Sequence, residues 1–151
     1  KWPNDVTLKG KKVAGVLVDT SIISNEIENV VLGIGINFKI KPHELANTIK
    51  KTPNFYGVAT LVKKNENALP LVQQFLYELE NIFQLINSGR IKKIKNGWTK
   101  RSSTIGRNVS IITNEGNLNG KAVKIDSDGA LIISKGKKIE RILVGDITHD
   151  Q

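Results

Sequence analysis

The sequence predicts an α+β fold, in which a mixed or antiparallel sheet with helices packed on it precedes a small β-barrel. Three features of the chain support this prediction: β-rich runs at its start, a long apolar stripe at helical spacing in its middle, and short alternating runs after Gly106. The change in pattern places a domain boundary near residue 102, with one domain over residues 1–102 and a second over residues 103–151.

A β-hairpin is the first predicted element. The runs VTLK (residues 6–9) and VAGVLV (13–18) are rich in β-forming residues, and the GKK between them is typical of a turn. A third strand is predicted for VVLGIGINF (30–38). Neither long run alternates with polar residues, so we expect both strands to lie centrally in the sheet with both faces covered. The polar segment 19–29 predicts a strand end and a turn.

Helices are predicted in the middle of the chain. Residues 41–51 combine an early proline with apolar residues at helical spacing, which indicates a short helix. Residues 66–89 give the strongest helical pattern and end at Gly89, a natural stop. Their apolar stripe is expected to pack in the core against the sheet, and it contains Leu69, Val72, Phe75, Leu76, Leu79, Ile82, Phe83 and Ile86. The basic segment 90–104 predicts a short helix at a junction, with a nucleic-acid-facing strip as the alternative.

The last part of the chain has the pattern of a small barrel built from hairpins. Short runs of alternating polarity occupy residues 108–112, 118–125, 130–134 and 138–144. They are separated by NEGN, DSDG and KGKK, which are rich in residues that favour turns. We therefore expect the second domain to contain only strands and turns.

Composition argues against several kinds of protein. The chain has no cysteine and only two histidines, His43 and His149, so neither disulfides nor a zinc site are expected. No apolar run is long enough for a membrane span and no secretory leader is recognisable, which favours a cytoplasmic protein. The chain also contains no methionine, even at its first position, so we expect it to be part of a longer protein.

The net charge is strongly basic and unevenly distributed. The formal charge is +9, with 15 Lys/Arg against 8 Asp/Glu in residues 1–100 and 8 against 6 in residues 101–151. Such an excess suits a polyphosphate, an acidic partner or a nucleic acid, and charge alone does not choose among them.

Two short segments contain the candidate binding residues. WPND places Asn4 and Asp5 after a rigid proline at the entrance to a strand, which is also common turn chemistry. In the third strand, Gly33, Gly35 and Asn37 alternate, so they should clear a shallow groove on one face and end it with an amide. Such a groove fits a small flat ligand, although a helix that crosses the sheet tightly explains the glycines equally well.

Taken together, KWPND, KVAGVLV and VVLGIGIN resemble the second half of the catalytic domain of biotin protein ligases (biotin–acetyl-CoA-carboxylase ligases), a family with a class II synthetase-like fold. The region from about residue 103 resembles that family's SH3-like C-terminal domain. The resemblance implies that biotin and Mg-ATP form biotinyl-5′-AMP and pyrophosphate. The biotinyl group then passes to a lysine of a biotin carboxyl carrier protein.

The resemblance also implies roles for individual residues. Lys12, in the family's K-x-A-G motif, becomes the cation that contacts the biotin carboxylate and the α-phosphate. Asp5 becomes a candidate for binding Mg²⁺ or for accepting the proton of the incoming lysine. Asn4 and Asp5 fall on the nucleotide side and Asn37 on the adenine side of ATP, whereas the biotin face is lined by Gly15, Leu17, Gly33, Gly35 and Ile36.

Several matters stay open at this point. The family's Gly-Arg loop and helix-turn-helix are not in the chain, so we expect it to be inactive alone, and DNA binding and a homodimer are left undecided. A basic module that grips nucleic-acid phosphates with the junction and the barrel is one alternative function. A lipoate ligase of the same superfamily is another, although it is not expected to combine KWPND, this lysine spacing and the barrel.

Overall fold

A computed structural model describes residues 1–49, 55–62, 66–113 and 116–149 of the chain. It contains two compact units, one of Lys1 and Pro3–Asn65 and the other of Trp2 and Glu66–Gln151. The domain boundary near residue 102 stays a prediction. Within the described ranges, the elements are β1 (Asp5–Leu8), β2 (Lys11–Ile23), β3 (Glu26–Ile36), α1 (Pro42–Ile49), α2 (Leu69–Asn87), α3 (Ile91–Arg101), β4 (Asn108–Thr113), β5 (Gly116–Ile125), β6 (Leu131–Lys135), β7 (Lys138–Ile142) and β8 (Asp146–His149).

The first unit contains a three-stranded antiparallel sheet in the order β1-β2-β3. Two-residue turns at Lys9–Gly10 and Ser24–Asn25 join the strands, and all four turn residues have positive φ. This geometry matches the right-handed twist of paired strands. The predicted hairpin and third strand are therefore confirmed, but the turn lies at Lys9–Gly10, so that Lys11 and Lys12 belong to β2 and not to the predicted turn. Strands β2 and β3 run further than predicted, because the turn between them takes up only two residues.

The expected cover on both faces of this sheet is not found. β2 is central, as predicted, but β3 lies at an edge of the described sheet. Leu17 on β2 is 70% exposed and Val31 on β3 is 63% exposed. A strand without polar alternation is buried only where a layer packs on each face. The described residues supply no such layer over these side chains, so this prediction is wrong for them.

All three predicted helices are present, and the end of α2 follows from its sequence. Gly89 has a φ of 69°, and its N–H donates to the carbonyl of Ile86 at 2.9 Å. The N–H of Arg90 donates to the carbonyl of Leu85 at 2.8 Å. This pair of bonds is the Schellman motif that a glycine just after a helix favours. Among the described helices, none has the length and apolarity needed to cross a membrane.

The apolar stripe of α2 is at most partly covered, and the prediction that it lies in the core is wrong for the described structure. No residue of α2 is buried. Five members of the stripe are exposed and three are half-buried; the exposed ones are Leu69, Val72, Leu76, Phe83 and Ile86. α2 instead packs on α3. An apolar stripe at helical spacing indicates that one face of the helix is apolar, but it does not indicate which part of the protein covers that face. α3 places Trp98 against the core of the second unit, as expected for a junction helix that buries its apolar face.

The second unit is built on a five-stranded antiparallel sheet in the order β7-β6-β5-β4-β8. Strands β4 to β7 coincide with the predicted runs, whereas β8, which pairs with β4, was not predicted. Strands β7 and β8 are the edges of the described sheet, and closure into a barrel stays a prediction. The buried core consists of Trp2, Val109, Ile111, Ala122, Ile125, Leu131, Ile133, Ile142 and Ile147.

Trp2 is the unexpected member of this core. It is 3% exposed, its backbone N–H donates to Thr104 Oγ1 at 3.0 Å, and its Nε1–H donates to the carbonyl of Gly129 at 3.0 Å. A buried tryptophan with both N–H groups bonded is held in one orientation. The sequence pattern pointed to Asn4 and Asp5 in the same short segment and gave no sign that Trp2 is a core residue.

Candidate functional site

A β-bulge between β1 and β2 sets the geometry of the site. Asp5 pairs with Gly15 and Thr7 pairs with Lys12, so that Val13 has no partner on β1. Because Asp5 and Thr7 share a face of the sheet, their partners Gly15 and Lys12 share it too, although these two are three residues apart. In a regular strand, that spacing would put them on opposite faces.

Lys12 and Asp5 form an ion pair on this face. Lys12 Nζ lies 2.5 Å from Asp5 Oδ1, and the side chains of Lys12 and Asp5 are 46% and 15% exposed. A largely buried carboxylate orders the ammonium better than a surface partner does, because solvent screens the pair less. Since Lys12 keeps nearly half of its surface open, a second anion can still approach it.

A strip of glycines lies beside this ion pair. Gly15 pairs with Gly35, and Leu17 pairs with Gly33 at the next position on the same face. A Cβ added at Gly15 would lie 3.2 Å from Lys12 Nζ, whereas one added at Gly35 would meet no atom within 4 Å. The strip therefore has Lys12 folded over one end and open space above Gly35.

The other predicted site residues are placed in different ways. Asn37 follows β3, and its Nδ2 donates to the carbonyl of Lys12 at 3.2 Å, which ties it to the backbone of the lysine. Asn4 is exposed and directly precedes β1. Ile36 pairs with Ala14 and so projects to the face opposite the glycine strip. The fold thus brings Asn37 to Lys12 and does not bring the side chain of Ile36 to the glycines.

A further segment joins the site through the backbone of Lys12. Lys12 forms a parallel bridge with Val58. The N–H of Lys12 donates to the carbonyl of Gly57 at 3.0 Å, and the N–H of Ala59 donates to the carbonyl of Lys12 at 2.8 Å. These bonds place the preceding residue, Tyr56, next to the ion pair. No spacing or motif in the sequence indicated this residue.

Tyr56 holds the second oxygen of Asp5. Its Oη donates to Asp5 Oδ2 at 2.6 Å, while Lys12 contacts Oδ1. Lys1 Nζ lies 3.8 Å from the centre of the Tyr56 ring, which is a cation–π distance. Burial raises the pKa of Tyr56 above its usual range, and the hydrogen bond to Asp5 and the charge of Asp5 raise it further. The hydroxyl therefore remains a donor well into the alkaline range.

Resistance of Tyr56 to ionisation is a direct test of this arrangement. In a Tyr77→Phe variant, in which Tyr56 is the remaining tyrosine, we expect no tyrosinate absorbance to appear near pH 10, where free tyrosine ionises. Because the folded pKa lies above the unfolded one, the stabilisation linked to Tyr56 is complete below pH 10 and is lost as the pH rises beyond it. Adding Asp5→Asn removes a charge and should lower the pH of ionisation. A midpoint at the value for free tyrosine would contradict the hydrogen bond.

The residues around Asp5 do not fit a protein-bound Mg²⁺. In the part of the chain that the structure describes, no group of three or more Asp, Glu, His or Cys side chains is arranged to hold a metal. Both oxygens of Asp5 are engaged, one by the Lys12 ammonium and the other by the Tyr56 hydroxyl. A second cation at Oδ1 would be repelled by the ammonium. The metal role of Asp5 stays a prediction that this arrangement does not support.

Two family models match the chain at its two ends. Residues 1–37 match the Biotin/lipoate A/B protein ligase family, and residues 104–150 match the Biotin protein ligase C terminal domain. The first range contains the Lys12–Asp5 ion pair and the glycine strip. The second range contains the five strands of the second sheet.

Curated relatives align with nearly the whole chain. The Bifunctional ligase/repressor BirA of Bacillus subtilis (strain 168) is 29% identical over 147 residues, which are 97% of this chain and 45% of the relative. The Biotin--[acetyl-CoA-carboxylase] ligase of Paracoccus denitrificans is 32% identical over 135 residues, which are 88% of this chain and 55% of the relative. The chain thus spans about half the length of the curated relatives it matches.

Solved structures of similar proteins share the fold. Biotin protein ligase from Aquifex aeolicus in complex with biotin and ATP matches with a TM-score of 0.73 and 25% identity, over 99% of this chain and 60% of that chain. A variant of the Aquifex protein in complex with biotin matches with a TM-score of 0.75 and 26% identity, again over 99% and 60%. The predicted α+β class, with antiparallel sheets and a few helices, is confirmed.

Proposed function

Because this chain belongs to the biotin protein ligase family, we propose that it is part of an ATP-dependent biotin ligase. In this proposal, the enzyme activates biotin as biotinyl-5′-AMP and passes the biotinyl group to one lysine of a biotin carboxyl carrier domain. The observation that carries the proposal is the Lys12 ammonium, held 2.5 Å from Asp5 at the end of a glycine strip. A flat ligand with a carboxylate would find a cation and an open floor there.

Lys12 supplies positive charge to the first step. A carboxylate oxygen of biotin attacks the α-phosphorus of ATP, a new P–O bond forms, and the bond to the bridging oxygen breaks, which releases pyrophosphate. Negative charge builds up around phosphorus in the transition state, so a fixed ammonium stabilises that state more than the ground state. Since Asp5 already orders the ammonium, little reorganisation is needed when the substrates bind.

The glycine strip serves as the floor for the biotin ring system. Gly15, Gly33 and Gly35 lie on one face and carry no side chains, so a flat bicyclic ligand can lie against the backbone. Leu17 on the same face is 70% exposed and supplies an apolar contact. The side chain of Ile36 projects to the opposite face, so we limit its predicted role to the backbone.

In the second step, the ε-amine of the carrier lysine attacks the carbonyl carbon of the mixed anhydride. A C–N bond forms, the bond from that carbon to the phosphate oxygen breaks, AMP leaves, and the nitrogen loses a proton to water. We assign Asp5 to holding Lys12 rather than to accepting this proton, because both of its oxygens are engaged. The triphosphate, rather than Asp5, is then the ligand of Mg²⁺. Asn4 and Asn37 stay assigned to the nucleotide side.

The proposed protein partner is the biotin carboxyl carrier of an acetyl-CoA carboxylase, the enzyme after which the Paracoccus relative is named. The basic excess in the first hundred residues would favour an acidic carrier surface. A cytoplasmic location belongs to the proposal as a prediction from the sequence, and a homodimer stays undecided. The basic excess by itself does not favour the nucleic-acid-binding alternative over an acidic carrier.

Exchange of labelled pyrophosphate into ATP tests the proposed function. The protein at its natural length should catalyse this exchange when biotin is present and should then biotinylate the lysine of a carrier domain. Exchange supported by lipoate and not by biotin would favour a lipoate ligase of the same superfamily. No exchange with either acid would contradict the proposal.

Gly15→Ala should lower the exchange rate roughly tenfold with little loss of stability. The added Cβ would lie 3.2 Å from Lys12 Cε and Nζ, so the flexible end of the lysine would yield and the ammonium would leave its position. Gly35→Ala is the matched control, because its Cβ meets no atom within 4 Å. That variant should raise the KM for biotin and leave kcat nearly unchanged. Equal losses of kcat in both variants would contradict the separate roles.

A further inference from the structure

Two connections join residues 56–59, the Tyr56 segment, to Lys12. The backbone of Lys12 bonds to Gly57 at 3.0 Å and to Ala59 at 2.8 Å. The side chain of Lys12 is linked through Asp5, whose Oδ2 accepts the bond from Tyr56 Oη at 2.6 Å. One short segment therefore fixes both the backbone and the charged end of the lysine.

We propose that Tyr56 is a positioning residue. By binding one oxygen of the Asp5 carboxylate with its hydroxyl, it leaves the other oxygen to hold the Lys12 ammonium. This inference rests on the proposed function, since it concerns the lysine that acts there. A hydroxyl bonded to Oδ2 fixes the rotation of the carboxylate and draws part of its charge away from the ammonium. Lys12 is then held at one oxygen, above Gly15, and keeps its remaining donors for substrate.

Loss of the hydroxyl would change the partners of Asp5. Its side chain is 15% exposed, so an Oδ2 atom without a donor would carry a desolvation cost. The Lys12 ammonium, already in contact with Oδ1, would move to bridge both oxygens. That movement takes the cation away from the glycine strip and pairs it more tightly. Lys1 contacts the ring of Tyr56, and a phenylalanine ring keeps that contact.

Trace acetylation of amines, read by mass spectrometry, reports the state of Lys12 without using activity. In Tyr56→Phe, tighter pairing should slow the labelling of Lys12 severalfold, with Lys9 and Lys11 unchanged. In Asp5→Asn, the ammonium is released and its labelling should accelerate. A merely structural role of Tyr56 would instead raise the labelling of all three lysines together, and this outcome would overturn the proposal.

Tyr77→Phe is the matched control for the hydroxyl. Tyr77 lies on α2 and is 63% exposed, so this variant should leave the labelling of Lys12 unchanged. In the same Tyr77→Phe background, the carbon that bears the Tyr56 hydroxyl can be observed by NMR with ring-labelled tyrosine. Its resonance should shift when Asp5→Asn is added. This measurement needs no change at Tyr56, and an unmoved resonance would overturn the proposal.

Kinetics separate the positioning role from the proposed function. Tyr56→Phe should lower kcat for pyrophosphate exchange by about tenfold to a hundredfold, with KM for biotin and ATP changed by less than about threefold. Unchanged labelling of Lys12 in Tyr56→Phe overturns the positioning role, whatever the activity. Lack of biotin-dependent exchange in the unmodified protein, together with the expected labelling changes, overturns the proposed function and leaves the geometry around Tyr56 supported.

Discussion

Lys12→Ala should lower the rate of biotin-dependent pyrophosphate exchange by about a hundredfold to a thousandfold. The loss is expected in kcat, because in the proposed mechanism the ammonium interacts most strongly with charge that develops on the phosphate in the transition state. The fold should persist, since Asp5 keeps its hydrogen bond from Tyr56 and removal of the half-exposed Lys12 side chain lets water reach the carboxylate. Steady-state exchange at varied biotin and ATP measures the split between kcat and KM.

Lys11→Ala is the matched control for this variant. It removes the same charge from the adjacent residue, which pairs with Leu8 and projects to the other face of the sheet. Exchange should stay within about twofold of the unmodified protein, because a solvated charge on the far face is screened. Equal losses in the two variants would show that general positive charge, rather than one placed ammonium, supports the activity.

Trp2→Ala should lower the free energy of unfolding of the second unit by about 3–5 kcal/mol. The side chain is 3% exposed within the core of that unit, so its removal leaves a cavity. It also deprives the carbonyl of Gly129 of its Nε1–H donor. Since small domains are stable by about 5–15 kcal/mol, this one change should remove a large part of the stability. Urea unfolding followed by circular dichroism measures it.

Two phenylalanine variants separate packing from hydrogen bonding at Trp2. Trp2→Phe keeps an aromatic ring and removes the indole N–H, so it should cost about 1–3 kcal/mol. Trp98→Phe changes a partly buried tryptophan that packs on the same core, and it should cost less than Trp2→Ala. A larger loss of unfolding free energy in Trp98→Phe than in Trp2→Ala would contradict the larger contribution of Trp2 to this core.

Strands and helix ends are local properties, and the sequence predicts them well. Gly10 in the first turn and Gly89 at the end of α2 both have positive φ, which glycine adopts readily, and both lie where the sequence predicts a turn or a stop. The positive φ of Lys9, which was predicted to lie in a strand, was not foreseen. Burial is not local. The apolar runs that contain Val31 and Leu76 read the same whether or not another layer covers them, and both side chains are more than half exposed. β8 was not predicted, because it is short and pairs with β4, which is distant in sequence.

In the candidate site, too, the locally determined features were predictable and the contacts between distant segments were not. Gly33 and Gly35 could be placed on one face from strand alternation, and the family resemblance added Gly15 to the biotin face and selected Lys12. Tyr56 reaches Asp5 across 51 positions of sequence and belongs to no motif. Only the folded chain brings such residues together, because contacts between distant segments depend on how the whole sheet pairs.

Because Val13 has no partner on β1, the number of residues in this hairpin matters as much as their identity. With the bulge in place, insertion of one residue between Lys12 and Gly15 would turn the ammonium to the opposite face, although the lysine, the alanine and the glycine of the motif would all still be present. A substitution between Lys12 and Gly15 alters packing, whereas a change in the number of residues alters the face of the sheet from which the lysine side chain projects. Alignments that allow a gap here would therefore accept chains whose lysine points away from the glycines.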